Sequence, residues 1–179
     1  MQVEVEFTNP LGAVPAVDVA FALVDASGTR FHTDSGSFAM PSEDELFRSV
    51  VDTVTELPAD VDDGAVSCQV LEISEGFSFG DLQSPPEASE CQVDEIDDFG
   101  DIQITLSTAN PFESVESLQI LYALRGDGGT RFDDSSAFVE LVAPNESIRV
   151  DEDTVTEPPE WATVDELSCE ILGIGAAEF

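Results

Sequence analysis

The chain has 179 residues, 42% of them hydrophobic, and its 39 acidic residues face five basic ones, which gives a formal net charge of −34. This hydrophobic content is ordinary for a globular protein and excludes a disordered chain. Without a basic surface, the chain is expected to bind neither nucleic acid nor anionic membranes. No apolar run approaches the roughly 18 residues of a transmembrane helix, so no membrane insertion is expected.

The first half of the chain is a series of strand patterns and turn signals. It begins with QVEVEF, in which apolar and polar residues alternate with the period of a half-buried strand. Asn9-Pro10 ends this strand, and a longer strand runs into a hairpin turn at 25–28. Further strand patterns follow at 47–55 and 65–73. No segment has the apolar period of a helix, so the pattern predicts six or seven short strands.

The second half repeats this order 101 positions later. Residues 21–31, FALVDASGTRF, return at 122–132 as YALRGDGGTRF. When residues 1–78 are aligned without a gap to 102–179, about 23 of the 78 positions are identical. The chain is therefore predicted to be an internal duplication. The predicted fold class is all-β, with two tandem immunoglobulin-like antiparallel β-sandwiches at 1–78 and 102–179.

Residues 79–101 match neither repeat and are predicted to form an acidic linker. Pro85-Pro86 and the absence of any basic residue favour a semi-extended, solvated segment. Its acidic run holds the weak candidates for a metal site, which are Asp94, Glu95, Asp97 and Asp98. Because the run lacks the spacing of a calcium-binding EF-hand loop, a solvated charge run is the favoured interpretation, and no metal or cofactor is expected.

The arginines recur between the repeats, although the chain has no lysine. Arg30 and Arg48 return as Arg131 and Arg149. A guanidinium among so many carboxylates is expected to hold them in bidentate pairs. These four arginines are therefore predicted to form structural ion pairs, and the binding of an anionic ligand is the functional alternative.

Other positions differ between the repeats. Trp161 stands where the first repeat has an aspartate, and Arg125 stands where it has a valine, so both are candidates for contacts with a protein partner. His32 is the only histidine. One imidazole would leave the other repeat without a catalytic triad or a zinc site, so His32 is expected to be a surface or turn residue.

The three cysteines cannot all pair within one chain. Cys68 and Cys169 share one repeat position in an alternating apolar pattern. Both are expected to be buried free thiols that pack as small hydrophobic groups. Cys91 lies between the repeats, and no Cys-x-x-Cys spacing indicates a metal site.

The composition resembles that of proteins from extremely halophilic archaea and their viruses, which are acidic and poor in lysine. Molar salt shortens the Debye length to about 3 Å and screens such repulsion. The Asn-Pro strand end, the Phe/Tyr-Ala-Leu strand core, the Thr-Val-Thr strand and the Val-Ser-Cys strand resemble the Ig-like or FxLYD-type modules of haloarchaeal proteins. The resemblance implies a spacer or binding platform without catalytic activity.

Together these patterns predict a non-catalytic structural or interaction protein adapted to high salt. A virion component of a haloarchaeal virus is favoured, such as a decoration, turret, head–tail or tail protein, because the sequence starts with Met and shows no export signal. It would assemble in the host cytoplasm with protein partners, as a homo-oligomer or a larger assembly. The alternative is a haloarchaeal cell-envelope adhesion or binding module whose leader was removed. An enzyme would need a pocket that holds carboxylates with raised pKa values.

Overall fold

The protein is built from β-strands in two compact units, Met1–Phe77 and Ser78–Phe179. The computed structural model describes residues 2–52, 57, 61, 66–76, 81–154 and 156–177. Apart from two single 3₁₀ turns, at Asp127–Gly129 and Val164–Glu166, the regular elements of these residues are strands. The predicted all-β class is confirmed. No described segment forms an apolar helix long enough to cross a membrane.

The first unit contains two antiparallel sheets among its described residues. Its strands are β1 (Gln2–Thr8), β2 (Ala16–Val24), β3 (Arg30–Ala39), β4 (Leu46–Asp52) and β5 (Ser67–Glu75). β1 pairs with β4, and β2 lies between β3 and β5. Both sheets contribute to one apolar core, as in a β-sandwich. In this core the rings of Phe7 and Phe47 stack with centroids 4.8 Å apart.

The second unit has the same plan with one additional strand. Its strands are β6 (Glu90–Ile96), β7 (Ile102–Ala109), β8 (Glu116–Arg125), β9 (Arg131–Val142), β10 (Ser147–Asp153) and β11 (Ser168–Ala176). β7 lies between β6 and β10, and β8 lies between β9 and β11. Both sheets again enclose one apolar core. The described residues therefore form five and six strands in the two units, where the sequence predicts six or seven in each repeat.

The five strands that the units share pair in the same register. In the first unit Leu23 of β2 lies opposite Cys68 of β5. In the second unit Leu124 of β8 lies opposite Cys169 of β11. The ladders β1–β4 and β7–β10 match in the same way, with partners displaced by 101 positions. A residue in one unit can therefore be compared with its structural counterpart in the other.

The segment predicted to be an acidic linker instead belongs to the second unit. β6 lies within it and pairs with β7, and Gln83 exchanges two backbone hydrogen bonds with Ile174 of β11. Cys91 and Val93 pack against the apolar core. The acidic residues of β6 are exposed, so the density of charge is compatible with a half-buried strand. This corrects the linker prediction for residues 81–96.

Candidate functional site

Three polar side chains converge inside the second unit at positions where the first repeat is less polar. Tyr122, Asp133 and Glu152 stand where the first repeat has Phe21, His32 and Val51. Tyr122 lies on β8 and is buried, Asp133 lies on β9, and Glu152 lies on β10 of the other sheet. Tyr122 lies near enough to both carboxylates for their charges to raise its pKa. We call these three side chains the inner polar cluster.

Burial is the main cause of altered acidity in the inner polar cluster. It raises the pKa of Asp133, although Thr156 Oγ1 donates a hydrogen bond to Asp133 Oδ2 that lowers this pKa. Burial also raises the pKa of Glu152. The pKa of Tyr122 is raised by burial first and then by the two carboxylates, against a hydrogen bond with Ser135. The cluster therefore favours the protonated form of its acids.

A second acidic cluster lies beside the turn between β6 and β7. Carboxylate oxygens of Asp97, Asp101 and Asp153 all lie within 4.8 Å of one another. Asp97 Oδ1 accepts hydrogen bonds from the backbone N–H groups of Phe99 and Asp101, at 2.8 and 2.9 Å, and so shapes the turn. Burial, and then the nearby carboxylates of Asp97, Asp153 and Glu157, raise the pKa of Asp101. Oxygen groups of this kind are ligands of hard cations such as calcium.

Only one of the predicted metal candidates belongs to this cluster. Asp97 is a member, but Asp94 Oδ2 accepts a hydrogen bond of 2.7 Å from Thr105 Oγ1 on the neighbouring strand. Glu95 and Asp98 are exposed and lie outside the cluster. The other members, Asp101 and Asp153, come from the start of β7 and the end of β10. Their proximity depends on strand pairing across about 50 residues, which spacing along the sequence does not reveal.

The four recurring arginines have unequal surroundings. Arg131 is fully buried, and its Nε and Nη2 lie 2.8 and 2.6 Å from Asp134 Oδ1. Arg48 Nε lies 2.9 Å from Glu4 Oε1. Arg149 Nε lies 3.3 Å from Asp151 Oδ1, in an exposed pair. Arg30 is exposed, and among the residues that the structure describes no acidic side chain lies within 4 Å of it, so the ion pair at this position stays a prediction.

Arg125 and Trp161, the candidates for partner contacts, contact their own unit. Arg125 Nη2 lies 3.0 Å from Glu170 Oε2, and its Nη1 donates to the carbonyl of Gly129 at 3.0 Å. Trp161 is half-buried and meets the ring of Phe132 edge-on at 6.1 Å. A Cβ at Gly126 would lie 2.8 Å from the indole, so glycine is required there. Both side chains thus contribute to the packing around the β8–β9 turn.

His32 is half-buried at its side chain, with Nε2 3.7 Å from Asp34 Oδ2. Its counterpart Asp133 accepts a hydrogen bond from Thr156, so the two repeats carry different ionisable side chains at this shared position. The exchange of His32 for Asp133 was visible in the aligned repeats. The accompanying changes to Tyr122 and Glu152 were visible too, but only the fold shows that both carboxylates lie near Tyr122.

Cys91 of β6 and Cys169 of β11 form a disulfide with Cα atoms 5.4 Å apart. This corrects the prediction that Cys169 is a free thiol. Cys68 is the free cysteine and is half-buried, and burial raises the pKa of its thiol. The missed signal was the alternation of Cys91 and Val93, which marks a strand whose cysteine points inward.

No model of a known protein family matches the chain, and no curated protein sequence matches it significantly.

Proposed function

We propose that this chain is a non-catalytic structural or interaction protein that works outside the cytoplasm, as an adhesion or binding module of a cell envelope in high salt. The disulfide between Cys91 and Cys169 carries this proposal. Structural disulfides persist in oxidising surroundings and are rare in reducing cytoplasm. The disulfide joins an edge strand of each sheet in the second unit, which suits a protein that must remain folded without chaperones.

We also propose that the two units are immunoglobulin-like modules that arose by duplication. Matching register in the three strand pairs that the units share supports this view, and so does the repetition of unusual backbone. Asp44 and Asn145 occupy equivalent positions with φ values of 60° and 59°. Met40 and Leu141 do the same with values of 41° and 54°. Left-handed backbone is uncommon outside glycine, so its recurrence at two paired positions favours common descent.

Several buried polar groups form hydrogen bonds or ion pairs that stabilise the fold, and this supports the proposal that the protein is non-catalytic. Asn9 and Asn110 are buried and hold turns. Arg131 is bound to Asp134, and Asp133 accepts from Thr156. The two asparagines and Asp133 link one strand or turn to another, and Arg131 pairs within β9, as expected of a scaffold.

High salt is proposed because the 39 acidic residues, with only five basic ones to neutralise them, would repel one another in dilute solution. A virion component is the second candidate. Two copies of one module could make pseudo-symmetric contacts in a lattice, and a disulfide could form once particles leave the reducing cytoplasm.

Fractionation of the cells that make the protein tests the proposal. Cells would be lysed in molar potassium chloride with a thiol-blocking reagent, and the oxidation state of Cys91 and Cys169 would be read by mass spectrometry in each fraction. We expect oxidised protein in the envelope fraction. Recovery in released particles would select the virion candidate. Fully reduced protein confined to the cytoplasm would contradict both.

A further inference from the structure

Among the described residues, the second unit has one strand without a counterpart in the first unit. In the second unit β6 pairs along one side of β7, and β10 pairs along the other. The counterpart of β7 is β1, and among the described residues β1 pairs only with β4, the counterpart of β10. Among the described residues, the side of β1 that corresponds to the β6 side of β7 has no paired strand, and we call this side the open edge of β1.

The cysteines make the comparison specific. Cys91 of β6 lies opposite Leu106 of β7 and is bonded to Cys169. Val5 is the counterpart of Leu106, and Cys68 is the counterpart of Cys169 and is free. The first unit thus has a free cysteine at the position of Cys169, while its described residues include no strand beside β1 in the place of β6 and no second cysteine.

Burial shows the effect of the missing strand on the core. Ile171 and Ile174 of β11 are 7% and 0% exposed. Their counterparts on β5, Val70 and Ile73, are only half-buried. Neighbouring Leu71 is 37% exposed. These apolar side chains of β5 become more deeply buried if an additional strand pairs with β1.

We propose that the open edge of β1 binds an extended segment of a partner polypeptide as an additional antiparallel strand, with a partner cysteine opposite Val5 that forms a disulfide with Cys68. This is β-strand addition, in which backbone hydrogen bonds supply affinity and alternate side chains supply specificity. An unprotected edge is also the feature that would otherwise promote aggregation.

The chemistry of the partner segment follows from β6 and β1. Like β6, it carries a cysteine and, two residues later, an apolar residue that faces the core beside Val3. Unlike β6, it has neutral or basic residues on the outer face, because Glu4 and Glu6 are exposed there and like charges on adjacent strands repel. The β6 strand of a second copy is a poorer occupant, since it is already paired with β7 and bonded to Cys169.

The covalent step is a thiol–disulfide exchange. The thiolate of Cys68 attacks the sulfur of the partner cysteine, which arrives as a mixed disulfide with a small thiol. A bond forms between the two protein sulfurs, the original S–S bond breaks, and the small thiol leaves with its electron pair and takes up a proton. The number of disulfides is unchanged, so no further oxidant is needed.

A peptide probe tests the inference on the purified full-length chain in molar potassium chloride. The probe has the sequence of residues 88–97 with Glu90→Lys and with Cys91 activated as a pyridyl disulfide. Because burial raises the pKa of Cys68, the reaction is run at mildly alkaline pH. Mass spectrometry measures the rate of attachment to Cys68. Hydrogen exchange measures the protection of amides in Val3–Glu6.

We expect this peptide to react about tenfold faster than a scrambled peptide with its cysteine in the same place, because backbone pairing with β1 would hold its cysteine beside Cys68. Val93→Asp in the peptide should remove the advantage, and Cys68→Ser in the protein should abolish attachment. Equal rates for matched and scrambled peptides overturn the inference. A Cys68-linked dimer of the chain that forms without any advantage for the matched peptide also overturns it, in favour of a second copy. The inference rests on the proposed function only in its need for an oxidising environment, and the assay does not depend on where the protein resides.

Discussion

Asn9 and Asn110 are equivalent buried residues that hold the same pair of turns in the two units. In each, Oδ1 accepts a hydrogen bond from the backbone N–H two residues later, at 2.9 and 2.8 Å. Asn9 Nδ2 donates to the carbonyl of Ser42 at 2.8 Å. Asn110 Nδ2 donates to the carbonyls of Ser114 and Val142, at 3.0 and 2.9 Å. The Asn-Pro pair of the sequence is thus a structural device, which connects the end of one strand to a distant turn.

Asn110→Ala should lower the free energy of unfolding by about 2–4 kcal/mol, because one buried carbonyl, one partly buried carbonyl and one N–H lose their partner. Asn9→Ala should cost less, because its side chain serves one carbonyl and one N–H. Gln92→Ala, which removes an exposed amide from β6, is the control. Thermal unfolding in molar potassium chloride measures all three, and equal melting temperatures for the Asn110 and Gln92 variants would contradict the assignment.

Arg131→Gln should destabilise the protein by about 3–5 kcal/mol, since Asp134 would be left buried without its cation. Arg30→Gln at the equivalent position should change stability by less than about 0.5 kcal/mol, because Arg30 is exposed. Circular dichroism melting curves at high salt compare the two. A similar loss of stability in both variants would contradict the prediction, because the different burial of the two arginines could not explain it.

Asp133→Asn should stabilise the protein at pH 7. The pKa of Asp133 is raised in the folded state, so its contribution to stability is complete below the unfolded pKa of about 3.9 and is lost as the pH rises through the folded value. Asparagine imitates the protonated acid and can still accept from Thr156. The gain in melting temperature should therefore shrink as the pH falls towards 4.

The control for this substitution is Asp165→Asn on the exposed Val164–Glu166 turn, which removes the same charge from the same unit. A gain at pH 7 of equal size in both variants would mean that reduced net charge, and not relief of the inner polar cluster, explains the effect.

Cys169→Ser should lower the free energy of unfolding by about 4–5 kcal/mol, the chain-entropy value for a closed loop of 78 residues. Cys68→Ser should have a small effect, because it removes no covalent bond. Chemical unfolding with and without a reductant measures both. The reductant should destabilise the wild type and the Cys68 variant alike, and it should leave the Cys169 variant unchanged.

The sequence was sufficient to predict the all-β class, because strands with one buried face alternate in a visible period of two. It was also sufficient to predict the recurrence of elements, since the alignment of the repeats needs no gap. The prediction was wrong for β6. Its three exposed acidic side chains, and the pair of prolines that precedes it, suggested a solvated linker. In a half-buried strand the charge on the outer face says nothing about the inner face, and Cys91 and Val93 carried the decisive signal.

The sequence also did not reveal which residues that are distant in the chain lie close together in the fold. The proximity of Asp101 to Asp153, and the effect of Glu152 on the pKa of Tyr122, depend on strands that are distant in sequence and become neighbours only through the fold. The recurrence of Arg30 as Arg131 suggested one role for both. Their different burial depends on the surrounding side chains of each unit, which the arginine positions alone do not encode.

The disulfide of the second unit limits how far the chain can be stretched. When the chain is pulled at its ends, the disulfide transmits tension directly from Cys91 to Cys169, and the 78 residue steps between them cannot extend. At about 3.5 Å per residue, roughly 270 Å of chain is withheld from stretching. The first unit has no disulfide among its described residues and can lengthen under tension. A stretched molecule would therefore yield in its first unit while most of its second unit stays folded, and a reductant would release the withheld length.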